Sequence, residues 1–229
     1  MNKFTRVICG ILFSFLASAQ VMADDEEFKE GEYYTVVQGN ELSKVQEITE
    51  FMSFYCGHCF MFRSTFNQLK GTFPEVTFSV IPVAFLGGPM GQMSQKAYAT
   101  AKIMGIEEQY SNELFNQIHQ MHKTDYNPEA LADIAAYVGA DKQKFLEIFD
   151  SFVVVSQIAA YNAEQDRAGI KGVPSLMVNH KYVIIKAEKD QVASLIRYLL
   201  NKDGIKPAAA APAQEDAGAA AAPTEAPAN

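Results

Sequence analysis

Apolar and polar positions along the chain change period several times, and each change marks an element. Residues 32–37 and 46–54 are rich in β-branched and aromatic side chains and predict two strands. From residue 56 to Lys70 the spacing becomes helical, with Phe60, Phe62, Phe66 and Leu69 available to pack and Gly71 as the expected stop. Residues 76–84 return to a strand pattern, which completes a βαβ unit with an expected right-handed crossover. Helical periodicity then holds through 94–104, 107–122, 128–138 and 141–166. Asn127-Pro128 makes a helix start and Gly139 a stop. In the second of these helices Tyr110, Leu114, Phe115, Ile118 and Met121 form the inward stripe, leaving His119 and His122 solvated rather than ligating a metal. Two short strands, 175–178 and 182–186, are joined across Asn179-His180 as a hairpin, and a helix over 189–200 closes the pattern.

The two ends of the chain read differently from this middle. Lys3 and Arg6 precede an apolar run over 7–17 and small residues that finish at Ala23. This is the pattern of a secretory signal peptide, cleaved after Ala23 or, as the second choice, after Ala19. The run is too short for an ordinary membrane-spanning helix. Cys9 departs with this leader, so Cys56 and Cys59 are the cysteines of the mature chain. Net charge falls from −8 to −10, because the leader carries two basic residues and no acid. Such a surface argues against nucleic acid and anionic membranes as partners. From Pro207 the chain holds 12 Ala and 4 Pro in 23 residues, and we expect a disordered tail. The expected organisation is a signal peptide (1–23), an α/β domain in two parts (24–88 and 169–206), a helical insertion between them (89–168), and the tail (207–229).

Candidate chemistry is concentrated in Cys56-Gly57-His58-Cys59, between an apolar strand and a helix start. Haem attachment needs His directly after the second cysteine, where this chain has Phe60. Structural zinc needs a second Cys/His pair. A disulfide closing so small a loop is a weak staple, so its value is chemical. At a helix N-terminus, unpaired N–H groups and the macrodipole favour a thiolate, and a neighbouring thiol can resolve the mixed disulfide it forms. The reading is dithiol/disulfide exchange.

With that motif in place, the order of elements resembles a thioredoxin-type α/β fold with an inserted helical domain. More specifically, the chain resembles the DsbA family of periplasmic thiol oxidases. The resemblance is carried by Glu50 through Cys59, Val83-Ala84-Phe85-Leu86-Gly87-Gly88, Ser151-Phe152-Val153-Val154 and Gly172 through Asn179. It implies that Cys56 is an exposed nucleophile, Cys59 the more buried resolving thiol, and His58 a source of positive charge near the Cys56 sulfur. His58 as a plain exposed helix-start residue stays the alternative. It implies that Pro174 is a cis-proline beside the active site, with Val173 presenting its backbone to a substrate chain. It also implies a buried Glu50 that exchanges protons with the inner thiol, against a solvent-facing strand-start glutamate. The family's lysine partner for this acid has no counterpart over 77–81. Gly57 stands where the best-known relatives carry proline, which points to a milder oxidant. The implied partners are folding secreted proteins and a DsbB-like membrane quinone reductase, for a periplasmic monomer with no cofactor beyond its cysteines. An isomerase or reductase on the same fold, and a peptide-binding chaperone using Phe85, Leu86, Met90 and Met93, are the competing readings.

Overall fold

The computed structural model describes residues 28–39, 41–187 and 190–208. The expected leader, Lys189 of the expected last helix and the tail from residue 209 lie outside the described residues. The strands are β1 (Tyr34–Val36), β2 (Glu47–Met52), β3 (Thr77–Pro82), β4 (Ser175–Val178) and β5 (Tyr182–Ile184). The helices are α1 (Gly57–Thr72), α2 (Pro89–Ile103), α3 (Glu107–His119), α4 (Pro128–Tyr137), α5 (Lys142–Phe149), α6 (Phe152–Arg167) and α7 (Val192–Asn201). The sheet order is β1-β5-β4-β2-β3, with β2 and β3 parallel and the other neighbours antiparallel. This is a thioredoxin sheet, and α2–α6 enter the chain between β3 and β4.

β2 is the central strand of the site, paired on both sides, and Ile48 through Met52 are all buried. A strand covered on both faces needs a nearly unbroken run of non-solvated side chains, which is why 46–54 does not alternate. One face packs Ile48, Leu176 and Val178 against Phe66 and Leu69 of α1 and Leu195, Ile196 and Leu199 of α7. A larger core joins Phe51, Ile81 and Met177 to the helical block through Tyr110, Leu114, Phe115, Ile134, Phe145 and Phe149. Cys56 and Cys59 both belong to this second core.

Several boundaries differ from expectation for identifiable reasons. The expected helix over 141–166 is two helices: Asp141 caps α5 through the Lys144 N–H (2.7 Å), and Ser151 caps α6 through the Val154 N–H (3.5 Å). Each cap satisfies an end donor that a continuous helix would not expose. α2 starts five residues before its expected position, with Pro89 pre-set for the first turn. Gly71 does not stop α1, which runs to Thr72 and ends with the Phe73 N–H on the Leu69 carbonyl at 2.9 Å. α3 ends at His119, so Met121 lies beyond the helix and is exposed rather than inward.

Gly91 marks the tightest backbone approach at the start of α2. A Cβ there would lie 2.0 Å from the Leu86 carbonyl oxygen and 2.7 Å from that of Ala84. At the far end of the sheet, Asn179 and His180 form the hairpin turn with φ of 53° and 58°. The buried Asn179 side chain accepts from the Glu47 N–H (3.1 Å) and donates to the Leu200 carbonyl (3.3 Å), tying the turn to β2 and α7.

Candidate active site

β2 delivers the chain through Ser53-Phe54-Tyr55 to Cys56, which is the N-cap of α1 in an extended conformation (φ −101°, ψ 111°). Helix N-caps usually offer a side-chain oxygen to a first-turn N–H. Here the acceptor is sulfur: the Cys59 N–H donates to Cys56 Sγ at 3.2 Å. Both thiols are free. From the other side, the Cys56 thiol donates to the Val173 carbonyl at 3.4 Å, and the Val173–Pro174 bond is cis. Two segments far apart in sequence therefore meet at one sulfur: the β2–α1 junction and the loop before β4.

Cys56 is 7% exposed, which corrects the expectation of an open thiol, and Cys59 is fully buried. The order of access still distinguishes them. Burial pushes the Cys59 thiol well above its ordinary pKa, and its hydrogen bond with Cys56 and the charge of Glu50 push the same way; the Ser53 backbone opposes them. His58 is exposed on the first turn, and the hydrogen bond to the Cys56 sulfur comes from the Cys59 backbone. His58 instead joins Met61, Phe62, Pro174 and Val192 in a shallow open groove beside the cysteines.

Glu50 is buried, 4% exposed, between Val80 of β3 and Leu176 of β4. Burial pushes its carboxyl up to about 8, with Lys70 and Arg63 of α1 pulling against that rise. Of the two positions left open in the sequence, the structure has the buried one.

His119 corrects another expectation. It is half-buried, donates from Nε2 to the Phe54 carbonyl at 2.8 Å, and stacks on Phe60 at 4.9 Å between centroids. Phe54 packs on Phe115 at 4.7 Å. α3 thus grips the two residues flanking the cysteine pair, Phe54 before it and Phe60 after it. Tyr55 adds a second tie, its hydroxyl donating to the Thr124 carbonyl at 2.9 Å while its ring lies where a Gly87 side chain would be. Helical periodicity alone cannot find these residues, because their partners are far away in sequence.

A buried dithiol capping a helix beside a cis-proline loop, on a thioredoxin sheet, defines a thiol:disulfide oxidoreductase. The model of the DSBA-like thioredoxin domain matches residues 47–197, and the chain belongs to that family. The thiol:disulfide interchange protein DsbA of Pectobacterium carotovorum is 28% identical over 215 residues, covering 88% of this chain and all of the relative. DsbA of Pseudomonas aeruginosa is 28% identical over 204 residues, covering 84% of this chain and 95% of the relative. The crystal structure of a P. aeruginosa DsbA superposes with a TM-score of 0.70 at 28% identity, over 79% of this chain and 96% of that one. A Proteus mirabilis DsbA crystallised with a non-covalently bound peptide shares the fold, with a TM-score of 0.65 at 24% identity, over 76% of this chain and 98% of that one.

Proposed function

We propose that this oxidoreductase works as a disulfide donor to secreted chains in the periplasm. The observation that carries the reading is the Cys56 sulfur, held between the Cys59 N–H and the Val173 carbonyl while Cys59 is buried behind it. In the oxidised enzyme a substrate thiolate attacks Cys56 Sγ and the Cys56–Cys59 bond breaks. The departing Cys59 sulfur takes a proton from the Glu50 carboxyl. A second substrate thiolate then attacks the substrate sulfur of the mixed disulfide and expels Cys56 as a thiolate. The substrate gains a disulfide, and the enzyme holds two more electrons.

Val173 and Pro174 present the loop backbone to the substrate chain, and His58 adds polar character to the groove that receives it. Negative charge on Cys56 faces the Cys59 N–H and the N-terminus of α1, which favours the reduced state and makes the disulfide an oxidant. A DsbB-like membrane quinone reductase would return the cysteines to the disulfide. The leader-like residues 1–23 and the family support the periplasmic location.

The direction of exchange is testable by stability. The reduced enzyme unfolds at higher denaturant than the oxidised one, and Gly57→Pro widens the gap. A Cβ at Gly57 meets nothing within 4 Å, and proline suits the first position of a helix. A more stable disulfide form in denaturant curves would turn the assignment to a reductase.

Glu50→Gln tests the proton partner. The variant slows the step in which the departing Cys59 sulfur gains its proton by at least about tenfold. It also removes the component of the pH–rate profile with a midpoint near 8. Stability carries the same signature. Folding raises this carboxyl from 4.5 to about 8, so the native state binds a proton that the unfolded chain has lost. Wild-type stability falls by up to about 1.4 kcal/mol per pH unit across that window, then levels off; the Gln variant lacks this slope. Stopped-flow exchange with a dithiol peptide and urea titrations from pH 4 to 9 check both. Identical profiles in the two proteins would remove Glu50 from the mechanism.

A further inference from the structure

α1 turns one side toward the groove beside the cysteines. His58, Met61, Phe62 and Thr65 line it from the i, i+3, i+4 and i+7 positions, which share one face of a helix. Pro174, Ala187 and Val192 supply the rest of the wall. Apart from His58 and the α1 hydroxyls, the lining is apolar. Met61 stands in this wall as a polarizable thioether and is 64% exposed.

The other methionines among the described residues are placed differently. Met52 and Met177 are buried in the larger core, and Met90, Met93 and Met104 pack against it. Met121 is as exposed as Met61, at 62%, but lies beyond α3 and outside the groove. Access decides which thioether an oxidant reaches first. The cysteines compete for the same oxidant as thiolates, and the disulfide-donating form has no thiolate at Cys56 or Cys59. In that form Met61 is the exposed, oxidisable sulfur of the groove.

We propose that Met61 is a redox-modification site, where a two-electron oxidant of the peroxide class converts the thioether to its sulfoxide and turns the groove away from apolar substrate segments. This rests on the groove being the place where the substrate chain docks. With hydrogen peroxide, the Met61 sulfur attacks one oxygen, the O–O bond breaks and an S–O bond forms. The departing hydroxide takes the remaining proton and leaves as water. Sulfur loses two electrons and the peroxide gains them. The product puts a strong hydrogen-bond acceptor where the wall offered apolar surface. An apolar substrate side chain covers that oxygen without pairing it, which weakens binding; a polar one donates to it. Cys56 and Cys59 are untouched, so the change falls on which chains are oxidised and not on the exchange itself.

The test starts from the disulfide form, treated with hydrogen peroxide that is then removed by catalase. Peptide mass mapping finds the added oxygen on Met61 and Met121 before Met90, Met93 or Met104. Disulfide transfer is then followed against concentration for two dithiol peptides, one flanked by leucine and one by serine. For the leucine peptide the half-saturating concentration rises about tenfold while the limiting rate stays within about twofold. The serine peptide shifts by less than about twofold. Met121→Leu responds to peroxide as wild type does, and Met61→Leu does not respond. Methionine sulfoxide reductases for both epimers restore the original half-saturation. A Met61 that oxidises no faster than the packed methionines would overturn the site, as would an unmoved half-saturation once it is oxidised, or the same shift in treated Met61→Leu. Untreated Met61→Gln separates these failures from failure of the docking reading. A raised half-saturation for the leucine peptide keeps the groove as the substrate surface; an unchanged one removes the groove from substrate binding, and the modification site with it.

Discussion

Cys56→Ala abolishes thiol–disulfide exchange, whereas Cys59→Ala leaves a thiol that captures substrates and keeps them. The asymmetry follows from two positions one helical turn apart. Cys56 sits at the mouth of the site, with its sulfur on the Cys59 N–H, and a partner sulfur can reach it. Cys59 is fully buried, and its thiol is held protonated by burial and by its neighbours. Attack needs an accessible thiolate, while resolution needs only reach across the ring already formed. Cys56→Ala therefore retains a thiol that reacts slowly with iodoacetamide near neutral pH. Cys59→Ala accumulates covalent adducts with secreted proteins, visible on non-reducing gels and lost on adding reductant. A fast-reacting Cys59, or no adducts from either variant, would reverse or remove the assigned roles.

Gly91→Ala lowers stability by about 3 kcal/mol or more, a large share of what a domain of this size possesses. The new methyl would meet two carbonyl oxygens, those of Leu86 and Ala84, at 2.0 and 2.7 Å. Both are backbone atoms, so no side chain can rotate away. Relief requires α2 to move off the 84–86 segment that leads out of β3. Gly57→Ala is the contrasting substitution: open space surrounds it, and a change below about 1 kcal/mol is expected. Urea midpoints at constant m-value measure both. A Gly91→Ala protein as stable as Gly57→Ala would mean that this connection is looser than described.

The cysteine pair and the sheet around it were legible because their signals are local. The apolar run of β2, the CxxC spacing and the helix beyond it lie within one stretch of some twenty-five residues, and a βαβ unit constrains their arrangement. Helix ends were less legible. Whether 141–166 is one helix or two depends on Ser151 capping rather than facing solvent, and a serine in a helical pattern permits either. The surroundings of the site were the hardest to read. His119 sits on the polar side of its helix by periodicity, but the helix lies against the active-site loop, so its polar side meets the Phe54 carbonyl instead of water. The charge around Glu50 was hidden for a similar reason. The sequence has no lysine over 77–81, and only the packing of α1 across the sheet shows that Lys70 and Arg63 line one cavity with Glu50.

The shared core has a consequence for how the molecule opens. Cys56 and Cys59 pack in one continuous apolar cluster with Tyr110, Phe115, Leu131 and Phe149, all of them from the helices inserted between the two halves of the sheet. An insertion in the chain is thus no boundary in the folding equilibrium: the helices and the redox centre protect each other's amides and lose that protection together. Hydrogen exchange would report them as a single foldon, and oxidising two sulfurs would change amide protection as far away as α4, well beyond any residue that touches a substrate.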